Sequence, residues 1–450
     1  MKQSSPRSLF ATRLGVIATT VGSAVGLGNI WRFPYEAGVH GGGAFLILYI
    51  AFILILGVPV LCAEFALGRS THRGIFGAFS SIRPNSRWRW GGIIGVVASL
   101  MILSFYSVVA GWTMEYFIVS VKGGLSGLSD AELHASFSSF LVGWRPVGWT
   151  IVFLLINYFV TARGVQKGVE RISNILTPML FVLIIAFCIN SLLLPGASEG
   201  LAFLFHPDFS KITPSVVIGA MGQAFFSLSL GIGVMLTYAS YFTDRTPIVR
   251  SAMITASLDT LIALLSGILI FPAVFTYGVS PAEGPTLVFE VLPSIFNRLP
   301  GGMIWSALFF FMLFLASLTS TMSMSECVVT YFVEEKGMKR KSATALTIAV
   351  AVVFGILCAL SFSSLSDLTL PFIGSFNIFN FFDYTSSNIL LPVGGILISV
   401  FVGRIMSRSL LTKQLSSRPS GAPSFAARVI PFILSWVAPV LITIIFLVNL

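Results

Sequence analysis

Six charged residues lie inside long apolar stretches of the chain: Arg32, Glu64, Glu115, Asp259, Glu326 and Asp383. A charge near the middle of a membrane costs at least ~2.5–3.5 kcal/mol on insertion scales, so each needs a partner or a task. Asp259 stands among apolar and hydroxyl residues with no basic neighbour in sequence, which suits a bound metal cation; the plainer alternative is a charge near the end of its helix. Thr319-Ser320-Thr321, preceded by Ala316, gathers hydroxyls of the kind that hold a hard cation. Hydroxyls in apolar helices also bond their own backbone, and the cluster alone does not separate the two. Glu64 has no adjacent cation and is read as an acceptor for unwound backbone N–H groups, or as protonated. Arg32 and Asp383 fall in the outer halves of their stretches and suit an ion pair that closes over a bound molecule. Glu115 and Glu326 acquire no role from the sequence.

Two stretches are built to break. Gly22-Ser23-Ala24-Val25-Gly26-Leu27-Gly28-Asn29 and Ser227-Leu228-Ser229-Leu230-Gly231-Ile232-Gly233 put glycines and small polar residues in the middle of apolar helices. Each interior glycine costs about 1 kcal/mol of helix stability. Unwound backbone at membrane depth survives only where it lines a cavity or is buried in protein. Close helix packing would also use such glycines. Two such segments, each opening a group of five spans, are the pattern of an inverted-repeat transporter whose site lies at the broken helices.

The elements that must carry these residues follow from composition. Of 450 residues, 56% are hydrophobic and 10% charged, against roughly 25% charged in a soluble domain. Mean hydropathy is +0.93. Continuous apolar runs of about 20 residues mark membrane helices and exclude the alternating pattern of a membrane β-barrel. Eleven spans are read at 13–36, 43–68, 91–120, 147–163, 168–194, 214–241, 249–276, 301–334, 342–360, 376–404 and 425–448. They form one transmembrane domain over 1–450, with a first repeat at about 13–194, a second at about 214–404 and an extra helix at about 425–448. The arginine- and lysine-rich loops all fall on the face that holds the N-terminus, whereas the opposite loops hold only Lys122, Arg145, Lys211 and Arg298. The bias places the N-terminus in the cytoplasm and, with eleven spans, the C-terminus outside a plasma (inner) membrane. The net charge of +10 therefore tracks loops facing one membrane surface and does not indicate nucleic acid. Cys62, Cys188, Cys327 and Cys358 all lie in apolar runs and offer neither a disulfide framework nor zinc spacing. No histidine lies clearly in a span beside an acidic or nucleophilic partner, which argues against an enzyme.

Residues 22–35 (GSAVGLGNIWRFPY) with Gly41–Phe45, residues 222–241 (GQAFFSLSLGIGVMLTYASY) and residues 316–320 (ASLTS) closely resemble helices 1, 6 and 8 of the neurotransmitter:sodium symporter family. The resemblance implies the all-α LeuT-type fold, with eleven helices, a 5+5 inverted repeat and broken helices 1 and 6. It implies two sodium sites. The first would use the Ala24 carbonyl, Asn29, Ser227, Asp259 and the substrate carboxylate. The second would use the Gly22, Val25 and Ala316 carbonyls with the Thr319 and Ser320 hydroxyls. The substrate carboxylate would also meet the Leu27 and Gly28 N–H groups and Tyr106, and its amino group the carbonyls around Ala24, Phe226 and Ser229. Phe226 and Tyr106 would cap the site; Ile102, Ile232 and Met324, with Ser23, would line the side-chain pocket. Arg32–Asp383 and Arg7–Glu334 would be the outer and inner gates, with Glu335 able to replace Glu334.

Departures from the family pattern narrow the substrate. Gly26 stands where monoamine carriers place an aspartate, so the substrate must bring its own carboxylate, as an α-amino acid does. The apolar wall admits an aliphatic or an aromatic side chain equally. Ala263 replaces the serine of chloride-dependent members, and Asp259 supplies a fixed negative charge, which together imply chloride independence. The resulting expectation is a sodium-coupled amino-acid symporter with lipid and small-molecule partners; a transport-silent receptor of the same fold is the alternative. Oligomeric state is not legible in the sequence.

Overall fold

The computed structural model describes residues 9–278, 287–369, 376–416 and 425–448. Among the described residues, eight unbroken helices are long and apolar enough to cross a bilayer: Gly43–Thr71, Arg89–Val121, Val165–Leu192, Ile248–Tyr277, Gly302–Glu335, Arg340–Leu360, Ile378–Ile405 and Phe425–Val448. These are spans 2, 3, 5 and 7–11 of the sequence reading. Span 1 consists of Arg13–Ala24 and Gly28–Val39, bent by 54° at a short break. Span 4 is Arg145–Thr161, entered through a 71° bend from a helix at Asp130–Leu141. Span 6 consists of Pro214–Ser227 and Val234–Ala239. The spans fall in the expected order, with ends displaced by up to three residues, because polar residues such as Arg69 and Thr71 continue helices past their apolar runs.

The helix ends are encoded locally. Thr12 starts span 1 by accepting the Gly15 N–H at 2.8 Å. Thr213 precedes Pro214, whose fixed φ and missing N–H suit the first turn of span 6. The break in span 6 needs left-handed backbone at Ser229, Gly231 and Gly233 (φ +52°, +88° and +74°). A Cβ on Gly231 would lie 2.2 Å from the Leu391 carbonyl of span 10, so only glycine fits there.

Spans 3 and 8 pack together along most of their length and form the centre of the bundle. The fully buried Glu64 of span 2 accepts the Gly231 N–H at 2.8 Å and the Leu236 N–H at 3.1 Å. Those donors lost their helical partners at the break, and Glu64 satisfies both, as the acceptor reading anticipated. Glu115 of span 3 is partnered by Arg145 and the Trp149 ring N–H at the start of span 4. Glu326 of span 8 is partnered by Arg340 of span 9 and accepts from the Tyr241 hydroxyl at 2.5 Å. Neither pairing was legible in sequence, since nothing in the chain order marks the partners. Short helices at Ile75–Ile82, Ala197–Phe205 and Arg408–Leu415 occupy segments read only as loops.

Candidate functional site

The two breaks lie side by side. From span 1, the Asn29 amide donates to Asp259 Oδ1 at 2.7 Å, to Ser227 Oγ at 3.0 Å and to the Asp259 carbonyl at 3.2 Å. Ser227 Oγ donates to Asp259 Oδ2 at 2.5 Å. Asn29 Oδ1 accepts the Gly26 N–H at 3.1 Å, which ties the side chain to its own break. Asn29 and Asp259 are both 0% exposed, and no cationic side chain meets Asp259 among the described residues. A buried carboxylate held only by neutral donors is a negative charge still short of a partner. Ala24, the other member of the expected first set, is buried at the end of the inner half of span 1.

The second expected cation set also assembles. Ser320 Oγ points at the Val25 carbonyl (3.2 Å) and the Ser23 carbonyl (3.4 Å) across the span 1 break. A Cβ built on Gly22 would lie 3.4 Å from Thr319 Cβ, so Gly22 and Thr319 are neighbours. Thr319 Oγ1 bonds the Ala316 carbonyl at 3.0 Å and the Leu315 carbonyl at 3.2 Å. Thr321 turns back to Ser317 and Leu318 on its own helix, so the plainer reading of the hydroxyl cluster holds for that residue. Thr19 Oγ1 and Ser23 Oγ are buried without a hydrogen-bond partner among the described residues.

Between the two sets lies a cavity of about 500 Å³. Its floor carries Ala24, Gly26, Leu27, Gly28 and Asn29 of the first break with Ser227 and Ser229 of the second. The Tyr106 hydroxyl accepts the Leu27 N–H at 2.9 Å. A Cβ on Gly26 would lie 2.7 Å from Ser320 Oγ and 2.8 Å from the Tyr106 hydroxyl, so these polar groups converge on the glycine and leave no room for a side chain there. Ile102, Phe226, Ile232 and Met324 form the apolar wall. Ser23, expected in the side-chain pocket, is 1% exposed and is not among the residues that line this cavity.

The profile of the sodium:neurotransmitter symporter family matches residues 7–130 and 131–450. The chain belongs to the sodium:neurotransmitter symporter family. An uncharacterized sodium-dependent transporter, YhdH of Bacillus subtilis, is 40% identical over 97% of this chain and 96% of its own length. A second uncharacterized sodium-dependent transporter, from Haemophilus influenzae, is 34% identical over 99% and 98%. The crystal structure of MhsT in complex with L-phenylalanine superposes with a TM-score of 0.90 at 40% identity, covering 99% of this chain and 100% of that one. The fold is therefore the LeuT type, and the protein is a sodium-dependent membrane transporter of this symporter family, which is a family of transporters and not of enzymes.

Of the two expected gate pairs, the described residues include both members of the outer one only. The cavity runs towards the end of the bundle opposite the basic loops and reaches both Arg32 and Asp383. Arg32 does not pair with Asp383: its Nε lies 3.4 Å from Glu36 one turn away, and its guanidinium covers the Phe226 ring at 4.2 Å. Asp383 accepts from Ser387 Oγ at 3.1 Å. The Arg32–Glu36 spacing of four was visible in the sequence and is the signal that could have revealed the competitor.

At the other end the start of span 1 is tied to spans 5 and 6. Phe10 donates its N–H to the Tyr241 carbonyl at 2.9 Å, and its ring packs on Tyr238, Tyr241 and Phe242. Glu170 of span 5 accepts the Ala11 N–H at 3.0 Å and the Thr12 N–H at 3.2 Å. Arg7 lies outside the described residues. Glu334 accepts the Gly74 N–H at 2.9 Å, and Glu335 faces Arg73 at 3.7 Å. Glu170 and Tyr241 were missed because their partners are backbone groups far away in sequence.

Proposed function

We propose that this transporter is a symporter that couples two sodium ions to the import of one hydrophobic α-amino acid by alternating access, without a chloride requirement. The observation that carries the reading is one place in the cavity floor. There the Leu27 N–H and the Tyr106 hydroxyl, beside Gly26, share the cavity lining with Asn29 and Ser227, which bond Asp259. An amino-acid carboxylate seated at the positive end of the outer half of span 1 reaches both. It accepts from Tyr106 and the Leu27 and Gly28 N–H groups and serves as a ligand to the first sodium ion, with the Asn29 amide turned to offer its oxygen. The ion and the amino acid then stabilise each other, which is the physical source of coupling. The second ion takes the carbonyls of Gly22, Val25 and Ala316 and the hydroxyls of Thr319 and Ser320. The amino group takes the carbonyls of Ala24, Phe226 and Ser229.

Ile102, Phe226, Ile232 and Met324 favour an apolar side chain, and MhsT, which shares the fold, was solved with L-phenylalanine. Met324 is flexible enough to follow side chains of several sizes. Asp259 supplies the fixed negative charge that removes the need for chloride.

Alternating access runs from the arrangement in which the start of span 1 is tied to spans 5 and 6. Arg32 leaves Glu36 for Asp383 as the outer end closes over Phe226, and residues 10–12 release Tyr241 and Glu170 as the inner end opens. The basic loops set the N-terminus in the cytoplasm of the plasma membrane, and residues 13–194 and 214–404 are the two repeats that move against each other. Moving two sodium charges through 100 mV yields ~4.6 kcal/mol, or about three decades of accumulation at ~1.4 kcal/mol per decade.

Uptake of labelled amino acids into proteoliposomes, with sodium outside and then with choline in its place, tests the reading. Sodium-dependent accumulation of leucine- or phenylalanine-class substrates is expected. Sodium-dependent binding without accumulation would make the protein a receptor of the same fold and overturn the transport proposal.

A further inference from the structure

A second cavity, of about 370 Å³, opens at the end of the bundle that carries the basic loops. One wall is the start of span 1, with Arg13, Val16 and Ile17; the other is the connection into span 7, with Arg245, Thr246 and Arg250. Arg13, Arg245 and Arg250 are all exposed at its mouth, and none has an ion-pair partner among the described residues. The helix Ile248–Tyr277 begins at this cavity with no side chain capping its first turn, so its N–H groups add to the positive field. Behind the wall, the buried Arg69 donates to the Thr246 carbonyl and to Gln414 and adds only a background charge. Two carboxylates lie near the mouth, and Asp244, exposed and adjacent in sequence to Arg245, offsets part of its positive charge. Glu170 receives the Ala11 and Thr12 N–H groups, and Asp244 faces His72 at 3.8 Å. Residues 1–8 carry Lys2 and Arg7 and no acid, so they supply no counter-charge.

Convergent unpaired guanidiniums over an uncapped helix start favour a phosphate oxyanion, for which Arg is geometrically suited. The apolar lower wall of Val16, Ile17 and Ile254 suits a group that continues into hydrocarbon. We propose that this cavity binds the phosphate of an anionic phospholipid headgroup at the cytoplasmic leaflet, bridging the start of span 1 to the start of span 7.

The test uses the full-length protein in detergent, scored by native mass spectrometry with added phosphatidylglycerol or, as the neutral control, phosphatidylcholine. One resolved phosphatidylglycerol adduct is expected in excess of phosphatidylcholine. It should weaken roughly 5-fold per arginine removed, about 25-fold in R245Q/R250Q, since each basic residue at a membrane surface contributes about that factor. R245K/R250K should recover most of the binding by restoring charge, which separates loss of the site from loss of fold; unchanged melting of each variant is the second control. Inorganic phosphate is titrated in a parallel arm. Failure of 10 mM phosphate to displace the adduct supports the lipid source, whereas displacement with the same arginine dependence would transfer the site to a soluble phosphate and overturn the lipid assignment. Equal phosphatidylglycerol binding by wild type and R245Q/R250Q would overturn the site altogether.

Discussion

Asp259→Asn isolates the charge at the first cation set with almost no change of shape. In the native protein Oδ1 receives Asn29 at 2.7 Å and Oδ2 receives Ser227 at 2.5 Å, and the side chain is fully buried. An asparagine can keep one of these contacts, and the Ser227 hydroxyl can rotate to accept from its amide. What disappears is the negative charge. Two unit charges 4 Å apart attract by about 4 kcal/mol at an effective dielectric of 20, and a directly liganded ion is closer. Part of that is offset by the cost of burying the carboxylate, so the net loss falls at about 2–5 kcal/mol, the range for deleting one partner of a buried charge pair. At ~1.4 kcal/mol per decade, half-saturating sodium should rise roughly 30-fold to a few thousandfold. Because the amino-acid carboxylate shares that ion, substrate affinity should fall at limiting sodium and recover at saturating sodium. The assay is binding of labelled L-phenylalanine to purified protein, titrated with sodium at constant ionic strength. Half-saturating sodium within threefold of wild type, in a variant that melts normally, would refute the assignment of Asp259 to the ion.

Glu64→Gln should lower the melting midpoint and weaken substrate binding together. It removes the charge that holds the Gly231 and Leu236 N–H groups, and hydrogen bonds to a charged group contribute about 1.5–3 kcal/mol each. Unchanged melting would show that span 6 does not depend on this cap. Gly26→Ala forces Ser320 Oγ and the Tyr106 hydroxyl to move, since its Cβ would lie 2.7 Å and 2.8 Å from them. Overpacking of about 1–3 kcal/mol predicts a lower melting midpoint together with weaker substrate binding, measured by thermal melting and equilibrium binding; unchanged values of both would refute the close approach. Replacing external chloride by gluconate should leave uptake unchanged; abolition of uptake would show that Asp259 does not substitute for the anion.

The parts of the site legible in the sequence were those whose signal is local. Paired glycines announced both breaks; in span 6 the φ of +88° at Gly231 under the Leu391 carbonyl requires one, whereas in span 1 the need is for close approach, as of Gly26 to Ser320 and Tyr106. Asp259 and Glu64 stood out because a carboxylate in an apolar run has to be answered by something. The answers came from 230 residues away for Asn29 with Asp259 and 167 for Glu64 with Gly231, and spacing of that length carries no signal in one chain. The same reason hid the Glu115–Arg145 and Glu326–Arg340 pairs, the latter across a turn between helices. Arg32 was assigned to Asp383 because both lie in outer halves of spans, yet in this conformation the neighbour one turn along, Glu36, holds it. The family resemblance supplied the grouping into two ion sets; of the first, Asn29, Ser227 and Asp259 meet directly, and of the second, Ser320 reaches Val25 and Thr319 reaches Ala316. The Asp130–Leu141 helix escaped notice because its capping box, Ser129 with Glu132, precedes a weakly apolar stretch.

Coupling at the paired breaks is best measured as simultaneous flux. Proteoliposomes holding the purified transporter are given radiolabelled sodium and a labelled hydrophobic amino acid, and both entry rates are followed with the background of substrate-free vesicles subtracted. Two sodium ions entering per amino acid, with neither flux persisting when the other solute is absent, is the predicted result. Amino-acid entry that proceeds unchanged without sodium, or sodium entry that ignores the amino acid, would contradict a carboxylate shared between substrate and ion.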